Sequence, residues 1–108
     1  MLTLGENIAD LGGLEIAYEA FLQTEQAISG ELIDGFLPQQ RFFLAFARAF
    51  RLKITDAKQF FLLKVDPHAP SIFRTNGALS NLIGFYRAFN VTENDRLFRE
   101  SSKRVLIW

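Results

Sequence analysis

The chain has 108 residues, no cysteine, and 12 basic against 12 acidic side chains. That length is one domain's worth, enough to bury a modest core. The missing cysteines exclude disulfides and thiolate metal sites, and the neutral balance, without a basic stripe or a like-charge run, excludes a nucleic-acid footprint.

The elements read as mainly helical. Thr3-Leu4-Gly5-Glu6 has the form of a capping box, with Thr3 as N-cap and Glu6 at N3. Ile8, Leu11, Leu14, Tyr18, Phe21 and Leu22 follow at helical spacing, so a first helix is expected to about residue 25 or beyond, with Gly30 near its end. Gly12-Gly13 inside it costs about 1 kcal/mol per glycine relative to alanine, which points to a close approach by another group. A loop over 29–37 leads to Pro38, which suits the first turn of a second helix reaching about residue 52. Thr55-Asp56 caps a third, short helix. Asp66-Pro67-His68-Ala69-Pro70 is irregular, because two prolines bar a regular helix. One short extended segment is expected around 72–79. Ser80 or Asn81 then caps a last helix through residue 89, and the apolar ending Val105-Leu106-Ile107-Trp108 is expected to dock. The fold class is therefore all-α. The N-terminus lacks the pattern of a signal peptide, and no apolar run approaches the ~20 residues that span a bilayer.

Phenylalanine occurs 12 times and in clusters: Phe42-Phe43, Phe46, Phe50, Phe60-Phe61, Phe85 and Phe89. Two readings stand. One is a rich local core; the other is a piece of a larger body whose helices meet partners on more than one side.

Four residues could carry chemistry. Glu6 and Asp10, four apart, lie on one helix face, where two carboxylates make sense if each meets a cation or an imidazole. They equally suit a capping box and a first-turn acid favoured by the helix dipole. His68, the sole histidine, sits between prolines with Arg74 six residues on. A fixed histidine and arginine suit a site where negative charge develops, and equally an ordinary loop with a surface ion pair.

Their order along the chain adds to this. Gly5-Glu6-Asn7-Ile8-Ala9-Asp10-Leu11-Gly12-Gly13-Leu14 resembles the G-E-N-x-x-D-x-G-G-L segment of neprilysin and endothelin-converting enzyme. Ala17-Tyr18-Glu19-Ala20-Phe21, Arg41-Phe42-Phe43-Leu44-Ala45-Phe46-Ala47 and Asp66-Pro67-His68-Ala69-Pro70-Ser71-Ile72-Phe73-Arg74 are similar to further segments of that family, in order. Gly77-Ala78-Leu79-Ser80-Asn81 and Ile107-Trp108 also match. The resemblance implies the C-terminal part of a zinc metallopeptidase catalytic domain acting on peptide substrates. It implies that Glu6 is the third protein ligand of a catalytic zinc and that Asp10 hydrogen-bonds a zinc-binding histidine. His68 would stabilise the oxyanion and Arg74 would hold a substrate carbonyl. Asn7, Gly12 and Gly13 would shape the helix.

The chain departs from the family in one decisive respect. The family's H-E-x-x-H helix supplies two histidine ligands and the general base, and this chain has one histidine. The expectation is a cut through the catalytic domain, with the missing upstream part as its partner, no peptidase activity by itself, weak zinc binding, and self-association through exposed apolar faces. The alternative is a non-catalytic helical interaction module derived from the peptidase. Ala69 and Phe50 replace the more common serine and tryptophan, and the cysteines of animal members are missing. A bacterial member is expected, of the cell envelope or secreted rather than cytoplasmic, although the chain itself encodes no compartment.

Overall fold

The computed structural model describes residues 2–107, so Trp108, for which docking is expected, lies outside the described residues. Among those residues there are six α-helices and no strand. They are α1 (Leu4–Leu22), α2 (Glu25–Ser29), α3 (Pro38–Ala49), α4 (Asp56–Val65), α5 (Ser71–Leu79) and α6 (Ile83–Phe89), followed by a 3-10 turn, Ser101–Lys103. None is long and apolar enough to cross a membrane.

The first helix starts as expected, but not through the expected cap. Thr3 has helical backbone angles and its side chain caps nothing. Glu6 is thereby left available for other contacts. The helix also stops earlier, at Leu22. Thr24 is the reason: its hydroxyl donates to the Phe21 carbonyl at 2.7 Å and accepts from Ala27 N–H at 3.2 Å. That side chain ends one helix and caps the next. Gly30, in the left-handed region at φ 64°, closes α2 as its position suggested. Asp34-Gly35, both at positive φ, form the tight turn that lets Ile33 and Phe36 exchange backbone hydrogen bonds of 3.1 and 3.0 Å.

Pro38 opens α3, and Gln40 Oε1 accepts from Leu37 N–H at 2.9 Å. Thr55 caps α4, accepting from Lys58 N–H at 3.4 Å. The extended segment expected around 72–79 is instead helical: Pro70 stands at its N-cap and the Pro70 carbonyl accepts from Phe73 and Arg74 N–H. β-branched Ile72 and Thr75 lower local helix propensity, but Ala78 and Leu79 become buried where α5 packs along α1, and that burial overrides a weak local preference. Ser80 and Asn81 do not cap α6. Both side chains donate to the Gly77 carbonyl, at 2.9 and 2.7 Å, and so terminate α5; Leu82 occupies the N-cap.

The core lies where α1 meets α5 and α3 meets α6. Leu11, Leu14 and Tyr18 of α1, Phe43 of α3, Ala78 and Leu79 of α5, and Leu82, Phe85 and Tyr86 around α6 form one buried cluster. Phe43, 1% exposed, is its centre, with ring centroids 4.7 Å from Tyr18 and 5.6 Å from Phe85. The glycine demanded by close packing is Gly84, where a methyl would clash with Cε1 of the Tyr18 ring. Gly12 is buried, whereas Gly13 has open space beside it, so of the pair it is Gly13 that meets no close neighbour among the described residues.

The tail is tied to α6 by Tyr86, whose hydroxyl donates to the Ser80 carbonyl at 2.7 Å and accepts from Arg99 N–H at 2.6 Å. Ile107 packs against the core, while Val105 and Leu106 are exposed, so of the described part of that ending one residue in three docks. The aromatic residues divide in the same way. Phe42, Phe46, Phe89 and Phe98 pack on the core, whereas Phe60, Phe61 and Phe73 are exposed, and α4 has no buried residue. The rich local core is therefore present around Phe43, while the rings of α4 and Phe73 lie outside it.

Candidate active site

Asp10 lies one helical turn beyond Glu6 on α1, so both carboxylates leave the helix on one side. The packing of α5 along α1 brings the loop before α5, and its first turn, to that side. His68 and Arg74 thereby meet the two carboxylates across more than 60 residues of chain.

Two pairs result. Arg74 Nε and Nη2 donate side-on to Asp10 Oδ2 and Oδ1, each at 2.6 Å. The pair is largely enclosed, with side chains 20% and 12% exposed. This is the bidentate geometry that makes arginine–carboxylate contacts strong. The hydrogen bond to Asp10 raises the Arg74 pKa above its usual value, against burial, which works the other way. His68 Nε2 lies 3.2 Å from Glu6 Oε2, and both side chains are 43% exposed.

Asp66 holds His68. One oxygen, Oδ1, accepts from His68 N–H at 2.8 Å and lies 2.7 Å from Nδ1. The backbone bond is the main reason the Asp66 carboxyl is held below the usual range, with the ring contact second. An aspartate accepting from the residue two on is an Asx turn, natural before a proline-bounded loop. With Nδ1 engaged by the carboxylate, Nε2 is the nitrogen turned toward Glu6. Asp66 was legible as part of the loop pattern, but its grip on the ring was not. Likewise, nothing in the spacing placed Phe50 over Arg74, where the ring centroid stands 4.7 Å from Cζ.

All four expected site residues thus lie together, and a small cavity of about 190 Å³ adjoins them. His68, Arg74 and Asp66 line it with Leu52, Leu62 and Leu63. Two donors at the rim of a partly apolar recess could orient a carbonyl-bearing chain.

The donor set for a metal is partial. Glu6 offers one half-exposed carboxylate, and no group of three metal-ligating side chains exists among the described residues. A catalytic zinc takes three protein ligands and a water. Glu6 fits the role of one of those three, and no set of two further ligating side chains gathers around it among the described residues.

Residues 1–105 match the profile of Peptidase family M13, and the chain belongs to that family. Among its relatives, an endothelin-converting enzyme homologue of Locusta migratoria is 49% identical over 90 residues, covering 81% of this chain. Neprilysin-3 of Drosophila melanogaster is 36% identical over 98% of the chain, and the neutral endopeptidase of Lactococcus lactis 34% over 99%. The Mycobacterium tuberculosis zinc metalloprotease Zmp1 in complex with an inhibitor superposes with a TM-score of 0.90 at 45% identity over 99% of this chain. Its open state gives 0.87. The chain spans only 12%, 14% and 16% of the length of the three curated relatives, and 16% and 17% of the two solved chains.

Proposed function

We propose that these 108 residues form the C-terminal part of a catalytic domain that hydrolyses peptide bonds, and that the zinc centre is completed by an upstream region carrying the histidine ligands and general base. Glu6 supplies the third protein ligand. Asp10 hydrogen-bonds a histidine ligand and fixes its tautomer. The spare lone pairs of its carboxylate leave room for that bond beside Arg74. His68, oriented by Asp66, donates to the oxyanion, and Arg74 holds a backbone carbonyl of the peptide. The zinc, when bound, polarises the scissile carbonyl and lowers the pKa of its water. The chain by itself hydrolyses nothing and holds zinc weakly.

The observation that carries this reading is the convergence of Glu6–His68 and Asp10–Arg74 beside one recess. The surface of α1 supports it further. Gly5, Ala9, Gly13, Ile16 and Ala20 recur at helical spacing opposite the buried Leu11, Leu14 and Tyr18. All five are exposed and uncharged, and Leu4 and Ile8 are exposed as well. A helix with uncharged faces on two opposite sides suits a position packed between two layers of a larger body. An independent interaction module would carry polar residues there.

A chimera tests the reading: the mycobacterial zinc metalloprotease with its corresponding stretch replaced by this chain. Zinc-dependent hydrolysis that disappears, together with bound zinc, in Glu6→Ala is the expected result. Full zinc content and activity in Glu6→Ala would remove Glu6 from the metal. Chelator-sensitive hydrolysis by the 108-residue chain would refute its inactivity.

A further inference from the structure

We propose that Phe50 is a positioning residue that, with Asp10, sets the orientation of the Arg74 guanidinium; this rests on the reading of Arg74 as the group that meets the peptide. The argument is geometric. Two parallel hydrogen bonds, from Nε and Nη2 to the two oxygens of Asp10, fix the guanidinium along one edge. They leave one soft motion, a tilt of the plane about that edge. A ring lying against the group opposes this tilt, and Phe50 supplies it, with Arg74 Cζ standing over the ring 4.7 Å from its centroid.

The ring is itself braced. Phe50 immediately follows α3 and is half-buried, and the Phe46 ring meets it edge-on at 5.1 Å between centroids. Arg74 is therefore held from three helices: by Asp10 from α1, by its own backbone in α5, and by Phe50 at the end of α3. Nη1 is the guanidinium nitrogen with no hydrogen bond among the described residues, and Arg74 lines the recess shared with His68. With edge and face both constrained, Nη1 projects in one direction, and a donor already aimed needs no reorganisation when a carbonyl arrives.

The chemistry of the ring matters, and not only its bulk. The face of an aromatic ring is negative and attracts a cation, most strongly where water is partly excluded. Arg74 fits that case, with its side chain 20% exposed. Tryptophan, the stronger cation-binding face, should serve at least as well, whereas an aliphatic side chain of similar volume should not.

The test is nuclear magnetic resonance on the 15N-labelled 108-residue chain, following exchange of the Arg74 Nε–H with solvent. Phe50→Leu should speed that exchange by roughly 2- to 30-fold, the range of the lost cation–ring attraction. Pentafluorophenylalanine at position 50 keeps the shape and reverses the charge of the face, so it should speed exchange too even if the leucine variant fails to fold. Phe50→Trp should match the parent within about twofold, as cation–ring attraction is kept. Unchanged exchange with the fluorinated ring overturns the proposal, whatever leucine does, because Phe50 would then be filler. In the chimera, the fluorinated ring should raise KM and leave kcat nearly unchanged; equal losses in both would count against positioning. A chimera without any activity speaks against the peptidase reading alone, since the exchange measurement reads Arg74 directly.

Discussion

Breaking the Asp10–Arg74 pair should destabilise the chain well beyond the effect of an exposed ion pair. Two unit charges about 4 Å apart attract by roughly 4 kcal/mol at an effective dielectric of 20. Desolvation and side-chain ordering cancel part of this, because the side chains are only 12% and 20% exposed. Removing one partner also leaves the other enclosed without compensation. Full burial makes that cost about 3–5 kcal/mol, and residual solvent contact reduces it to roughly 2–3 kcal/mol. Asp10→Ala should therefore cost about 2–3 kcal/mol. Arg74→Ala should cost a similar amount, since it also removes the contact with Phe50. The double variant should be less destabilised than the sum, with a coupling of about 1–2 kcal/mol. Urea unfolding with linear extrapolation measures all three, and a loss of 2 kcal/mol in a chain of this size corresponds to about 8 °C in Tm. Single variants costing under about 0.5 kcal/mol, or an additive cycle, would show that the pair behaves as an ordinary surface contact.

Gly84→Ala drives a methyl against the edge of the Tyr18 ring and should cost about 1–3 kcal/mol, read as a lowered melting temperature. The Asp66 carboxyl titrates below its unfolded value, so its contribution is complete above about pH 4. That contribution is lost as pH falls through the depressed folded value, and Asp66→Ala should flatten the acid limb of a urea-midpoint series between about pH 2 and 6. In the chimera, His68→Ala should lower kcat by about 100- to 1000-fold, as for loss of one oxyanion donor, with KM little changed. The exposed Leu4, Ile8, Ile16, Phe60 and Phe61 should make the isolated chain self-associate as concentration rises; a clean monomer by light scattering at high concentration would contradict this.

Local signals were reliable where one side chain decides the outcome alone. Pro38, Thr55 and Gly30 mark the helix boundaries that their chemistry predicts, because a fixed φ, a capping hydroxyl and a left-handed residue act within four residues of themselves. The same signals misled where two uses of a residue compete. Thr3 had the capping pattern but caps nothing, and Ser80 and Asn81 close the helix before them instead of opening the one after. Thr24, which splits the first helical stretch in two, has no more local warrant than Thr3. The extended reading of 72–79 failed because burial of Ala78 and Leu79 against α1 is a tertiary gain that window-level propensity does not contain.

The site shows the same division. From sequence alone come the identities and order of Glu6, Asp10, His68 and Arg74, the shared helix face of the two carboxylates, the stiff proline-bounded loop, and the shortage of metal ligands. These depend on residue type and on spacing along one backbone. Only the tertiary structure decided which group meets which: that Arg74 grips Asp10, that His68 faces Glu6 with Asp66 behind it, and that Phe50 lies over the guanidinium. Each of those pairings but Asp66–His68 joins segments distant in sequence. Their registers are set by how the Phe43-centred core packs, which no stretch of the chain encodes by itself.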